Sequence, residues 1–398
     1  MVAYYTLMIR LLCALSMFAA LTAQSAPAGD AWSRVASVYR QRVEQAGIVG
    51  SSVVFVKNGT IAHQAFAGYQ DRATKRAVDE QTIYHWASIT KTFTGIAIMQ
   101  LRDRGLLSLD DPAVKYVPEL REVHNPYGDI SQVTIRHLMT HSAGFRAGTW
   151  PWGGDQPWHP FEPTRWAQVV AMMPYTELQF RPGTKYSYSN PGVIFLGRII
   201  QLLSGDDYEV YITKNILMPL GMHASFFDRA PYHLLPHRSH SYFRSDEGLT
   251  EARFDFDTGI TVSNGGLNAP LGDMAKYLAF LTADRQTPLY EGILKRSSLE
   301  EMWKPQIAAV DGEGATGTNA QAGLSFFLER HAGLDFIAHS GDQNGFISHL
   351  YVHMPTRTAY VACFNTDVAS SKSAPGRLTT RQVDAAVRDA IIREMIAR

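Results

Sequence analysis

"GSSVVFVKNGTIAHQAFAGY", residues 50–69, sets two β-rich runs on either side of Asn58-Gly59. A tight two-residue hairpin needs two successive left-handed residues, and Asn-Gly is the dipeptide that adopts them most easily. The stretch therefore predicts an antiparallel hairpin near the start of the chain. The far end mirrors it. "AGLSFFLER", "DFIAHSG", "GFISHLYVHMP" and "TAYVACFNTD" read as successive strands, followed by a helix over about Thr379–Ala397. Strands early and late in the chain predict one antiparallel sheet assembled from both ends.

The segments between are helical in character. "ITKTFTGIAIMQLRDRG" closes at Gly105, and "TIRHLMTHSAG" begins a short helix near Thr134. "NPGVIFLGRIIQLLSG" carries Pro191 near its first turn and Gly205 past its last, as helix ends prefer. "GDDYEVYITKNILMPLG" breaks at Pro219, and the leading "DAWSRVASVYRQRVEQAG" has Asp30 as a candidate cap and Gly47 at its end. The expected architecture is a single α+β domain over 27–398. Its antiparallel sheet region covers 30–90 and 265–398, flanked by N- and C-terminal helices, with a mainly helical region over 91–264 inserted. Ligand clefts tend to lie where two such parts meet.

Lys plus Arg and Asp plus Glu each number 37 among 398 residues, with no basic cluster, so no field draws nucleic acid. Arg10 precedes "LLCALSMFAALTA", which suits the apolar core of an export signal and is too short for a permanent bilayer span. Small residues follow, and cleavage between Ala23 and Ala28 is expected, giving a leader of about residues 1–26. An uncleaved anchor is the alternative. Without the leader no stable membrane span is expected, and the destination would be a bacterial periplasm or beyond. Loss of Cys13 with the leader would leave Cys363 as the one cysteine, so no internal disulfide supports the fold.

Three constellations carry chemistry. In "HWASITKTFTG", residues 85–95, Ser88 and Lys91 stand one helical turn apart. A hydroxyl becomes a useful nucleophile when a neighbouring base takes its proton, and a desolvated lysine can be that base. A capped helix followed by a surface lysine would look the same. In "KYSYSNPG", Tyr188-Ser189-Asn190 precedes the Pro191 helix on a turn able to aim side chains into a cleft. A phenol near an ammonium can relay protons, and Asn190 offers a donor and an acceptor to a substrate amide. Tyr186 competes for the phenol's role, and a buried tyrosine beside an Asn turn is the plainer explanation. In "HSGDQNGF", residues 339–346, Gly341 allows close backbone approach, and the next amide could help bind an oxyanion, although alone the stretch would equally suit a plain β-turn.

Taken together and in order, Ser88-Ile-Thr-Lys91, Tyr188-Ser-Asn190 and His339-Ser-Gly341 resemble the three motifs of the penicillin-recognising serine hydrolases. The wording is similar to the class C β-lactamase-like branch, which includes D-Ala-D-Ala carboxypeptidases, D-aminopeptidases and β-lactamase-related carboxylesterases. "TIRHLMTHSAGF" and "NGGLNAPLGDMAKYLAFL" look like that branch's connecting text, and the likeness spans roughly Gly50–Asp367. The resemblance implies a β-lactamase/transpeptidase-like fold and an acyl-enzyme at Ser88 with Lys91 as proton partner. It implies Tyr188 as base or relay, and Asn190, His339, Ser340 and Gly341 at the substrate. The backbone amides of Ser88 and Asp342 would form the oxyanion hole. No cofactor or metal is called for, and the partner would be a small-molecule or peptide acyl donor. The oligomeric state stays open.

The chain departs from that pattern at its third motif. Class C β-lactamases have lysine where His339 stands, and a neutral imidazole is a weaker partner for a carboxylate. Asp342 would add a negative charge near the same spot, repelling a carboxylate by about 1 kcal/mol at about 4 Å in water. Neutral or amino-bearing acyl donors are therefore expected to be favoured. A dedicated β-lactamase, or a slowly turning-over penicillin-binding or regulatory protein, are the alternatives. The tryptophan-rich "GTWPWGGDQPWHPF", residues 148–161, would form a lid or pack onto the protein's own surface. His233, His237 and His240 have near-helical spacing, but Pro236 breaks the alignment a metal would need. His137 and His141, one turn apart, are expected to serve in structural hydrogen bonds.

Overall fold

The computed structural model describes residues 28–148, 163–252, 254, 257–284, 288–309 and 318–397. The expected leader and nearly all of the tryptophan-rich loop lie outside the described residues. The chain enters through helix α1, Ala28–Ala46, so Asp30 sits inside its first turn and is not its cap. Gly47, at φ 67°, ends the helix in the left-handed conformation that glycine adopts without a Cβ clash.

Strands β1, Gly50–Lys57, and β2, Thr60–Asp71, form the expected hairpin, with Asn58 at φ 52° and Gly59 at φ 77°. β3 is the short Arg76–Ala77. The late strands are β4 Ile307–Ala308, β5 Thr318–Ala322, β6 Phe327–His331, β7 Leu334–Gln343, β8 Phe346–His353 and β9 Thr358–Phe364. All nine join one antiparallel sheet in the order β3-β2-β1-β9-β8-β7-β6-β5-β4. The first and last parts of the chain meet where Val54 of β1 faces Val361 of β9.

Side-chain alternation along the strands splits the core in two. Val53, Phe55, Ala338, Tyr351, Tyr360 and Phe364 face α1 and the C-terminal helix. Val54, Val56, Ile337, Leu350, Val361 and Cys363 face the helices of the middle region. That region supplies α2, Thr90–Asp103, and α3, Asn190–Ser204, and α4, Leu271–Thr282, follows it on the same face. α4 lies directly over β1 and β9, so the return to the sheet begins before its first late strand. α5, Thr380–Ile391, is capped by Thr379 and packs beside α1. No described helix is long and apolar enough to cross a membrane.

Candidate active site

The three motifs converge where α2, α3 and β7 meet. Ser88 lies in a single 3-10 turn, Ala87–Ile89, just before α2, not on the α-helix itself. Ala87 is held at φ 47°, a conformation that costs a non-glycine residue energy and that persists only where the surroundings impose it. Those surroundings are the fully buried Trp86, whose indole donates to Ala269 O at 2.8 Å and whose amide donates to Leu267 O at 2.8 Å. The nucleophile turn is thus anchored to the Leu267–Pro270 strand.

Lys91 is almost fully buried. Its Nζ donates to Ser88 Oγ at 2.9 Å and to the backbone oxygen of Asn264 at 2.7 Å. The Asn264 carbonyl is a partner that sequence reasoning missed; only the Asn-Gly-Gly at 264–266 hinted at special backbone there. Tyr188 is buried, and its ring centre lies 4.9 Å from Lys91 Nζ. Tyr186, the competing phenol, is half-buried and meets the His141 ring edge-on at 6.0 Å. Asn190 opens α3, Ser189 Oγ caps that helix on Gly192 N, and Asn190 Oδ1 is buried without a hydrogen-bond partner among the described residues.

β7 brings the third motif. β6 pairs with it only as far as Ala338, so over residues 339–343 its described strand neighbour is β8 alone. His339 is buried, and its Nδ1 lies 2.7 Å from Ser340 O. A carbonyl only accepts, so Nδ1 carries the proton and Nε2 is left as a buried acceptor with no partner among the described residues. Burial, with Lys91 nearby, pushes His339 down to about 3, so the ring is neutral.

Asp342 departs from expectation. Alternation along β7 turns its side chain away from His339, to the face covered by α5, where its carboxylate pairs with Arg381. The charge expected beside the third-motif side chain is on the other side of the sheet. Ser340 also turns from His339 and stands opposite His349, which is bonded to Asp384 of α5 at 2.6 Å.

His141, treated in the sequence as a structural residue, lies against the second motif: its ring stacks on Tyr188 at 4.4 Å. His137 caps its own short helix with Thr134. His237 lies by Arg76 and His240 by Glu251, and among the described residues no group of three His, Cys, Asp or Glu is placed to hold a metal.

Comparison with known proteins accords with this layout. Protein flp of Staphylococcus aureus (strain COL) is 32% identical over 198 residues, which is 50% of this chain and 39% of that protein. The chain thus spans less than half the length of that relative. Esterase EstB of Burkholderia gladioli is 28% identical over 53% of this chain and 57% of its own length. The octameric penicillin-binding protein homologue from Pyrococcus abyssi superposes with a TM-score of 0.74 at 26% identity, over 91% of this chain and 77% of that one. The family model described as Beta-lactamase matches residues 35–383, nearly the whole described chain. With a serine, a buried lysine and a tyrosine gathered beside β7, this chain belongs to the Beta-lactamase family.

Proposed function

We propose that the protein is an exported hydrolase that forms an acyl-enzyme at Ser88 and prefers neutral or amine-bearing ester and amide substrates. The observation that carries this reading is the 2.9 Å bond between Lys91 and Ser88 inside a buried setting with Tyr188 at its side. Burial is the condition under which a lysine serves as proton acceptor. In the acylation step Ser88 Oγ attacks the substrate carbonyl and its proton passes to the Lys91–Tyr188 pair. The carbonyl oxygen takes up negative charge between the backbone N–H groups of Ser88 and Asp342. The tetrahedral intermediate then expels the alcohol or amine, which leaves with the proton. Water repeats the sequence on the acyl-enzyme.

The substrate preference follows from polarity. A neutral His339 ring offers a lone pair where a lysine would offer a cation, and Asn190 Oδ1 is a second buried acceptor. Both favour a ligand that brings N–H donors, and leaving either unpaired costs about 1–3 kcal/mol. A substrate carboxylate gains little from these groups. Export rests on the N-terminal "LLCALSMFAALTA" followed by small residues.

The test is intact-mass detection of Ser88 acylation, with steady-state turnover, across a nitrophenyl ester, a D-amino-acid amide, a D-Ala-D-Ala peptide and a cephalosporin. Label on the wild type, none on Ser88→Ala, and faster turnover of ester or amide than of cephalosporin are expected. A cephalosporin turned over fastest would defeat the preference. A burst of labelling without turnover would mark a penicillin-binding receptor instead.

A further inference from the structure

We propose that His141 is a positioning residue for the second motif, holding Tyr188 against Lys91 through three separate contacts. The inference rests on the reading of Ser88 as the acylated nucleophile. His141 follows the short helix Ile135–Met139 and sits at φ 55°, which turns both its backbone and its ring toward the loop that opens α3. Its carbonyl oxygen accepts from Ser187 N at 2.8 Å, and its Nδ1 accepts from Ser189 N at 3.1 Å. Between those two residues stands Tyr188, whose ring stacks on the imidazole at 4.4 Å and 29°. The residues before and after the phenol are thus bonded to one residue, and the phenol's own ring lies on that residue's side chain.

Nδ1 accepts only while it carries no proton, so the bond to Ser189 requires a neutral imidazole with its hydrogen on Nε2. The groups around it enforce that state. Burial acts first, and Lys91 of α2 and His339 of β7 add to it, holding His141 well below the usual histidine range. Tyr186 and Tyr188 face it from the loop before α3, and Phe327 of β6 lies parallel to its ring at 6.4 Å. A protonated ring would lose Ser189 and set a positive charge beside the Lys91 amine. The Ser189 bond also bears on Asn190, because the same turn aims both side chains.

Three substitutions separate positioning from packing. His141→Asn keeps an acceptor near the Nδ1 position and tolerates positive φ, but loses the ring. His141→Phe keeps the ring and loses the acceptor, and His141→Ala loses both. Each is assayed for kcat and KM on a nitrophenyl ester and for the ring resonances of Tyr188 in tyrosine-labelled protein, assigned with Tyr188→Phe. His141→Ala is expected to lower kcat about 100-fold, as a misplaced catalytic group does, with KM within about threefold. His141→Asn should recover about tenfold of that loss, since its acceptor restores the Ser189 bond. The Tyr188 ring protons should move downfield in His141→Ala and His141→Asn, where the shielding face of the imidazole is gone. Wild-type kcat in His141→Ala would overturn the proposal. So would Tyr188 resonances unmoved in all three variants, whatever their activity. If His141→Ala fails to fold, the Asn and Phe variants decide by the same two readouts. A wild type that leaves Ser88 unlabelled, with the resonances moving as expected, would sink the hydrolase reading and leave the positioning intact.

Discussion

Gly341 lies so close to Trp86 that a Cβ on it would stand 2.3 Å from the Trp86 carbonyl oxygen. Ser348 Oγ, beside it on β8, donates to the same oxygen at 3.3 Å. The distance between the nucleophile turn and the third-motif strand is therefore set by the absence of one carbon atom. Gly341→Ala must push the two apart, and overpacking of this kind costs about 1–3 kcal/mol. Activity is expected to fall about 100-fold or more, because the oxyanion site proposed between the Ser88 and Asp342 amides would be pulled apart. Near-wild-type acylation by a nitrophenyl ester in Gly341→Ala would refute this.

Lys91 holds Ser88 and the Asn264 carbonyl together. Lys91→Met fits the space but cannot move a proton, so Ser88 acylation should slow by about 10²–10⁴-fold, as loss of general acid–base catalysis does. Lys91→Arg should not restore it, since a guanidinium does not give up its proton at ordinary pH. Stopped-flow acylation rates on the three proteins check this; rescue by arginine would count against proton transfer through this residue.

Burial holds six histidines below their ordinary range: His85 at about 4, His339 at about 3, His141 well below it, and the less buried His63, His137 and His353. The unfolded chain, with histidines near about 6.5, binds more protons than the folded one as pH falls below that value. Their stabilising contribution is whole above about pH 6.5 and is lost as pH falls toward the folded values, about 1–2 kcal/mol each for His85 and His339 by pH 5. Asp228, pushed up to about 6 by burial, and Glu209, also raised by burial, act in the opposite sense, two groups against six. The melting temperature should drop from pH 7 to pH 5 and drop less in His85→Gln. A flat profile across that range would contradict the buried neutral state.

Placing Asp342 on the α5 face yields a specific expectation. Asp342→Asn should leave the ratio of cephalosporin to ester turnover unchanged. It should cost at most about 1 kcal/mol, because its pair with Arg381 is exposed and screened. His339→Lys, by contrast, should shift that ratio toward the cephalosporin by about tenfold, the worth of one added charge-assisted contact. Parallel kcat/KM measurements on the two variants check both. A strong effect of Asp342→Asn on the ratio would mean that its charge acts beside His339 after all.

The sheet and the identities of the motif residues were legible because they depend on local pattern. Asn58-Gly59 dictates a hairpin whatever surrounds it, and the late runs alternate as half-buried strands must. Ser88 and Lys91 are three apart, so any helical turn brings them together, although the turn proved to be 3-10 at Ser88. The helix start at Ala28 was misplaced because a capping residue such as Asp30 also suits a first turn.

What the sequence alone determined, then, is which chemical groups the chain owns and how near neighbours along it must sit. Tertiary structure decided the rest: that the Asn264 carbonyl receives the lysine, and that Tyr188 rather than Tyr186 lies beside it. It also decided that His339 carries its proton on Nδ1 and that Asp342 looks away from His339. The first two depend on atoms brought together from segments about a hundred or more residues apart, and the last two on the backbone of β7 and on which of its faces meets which helix. A one-residue step along β7 reverses the side on which a charge appears, and composition carries no record of that step.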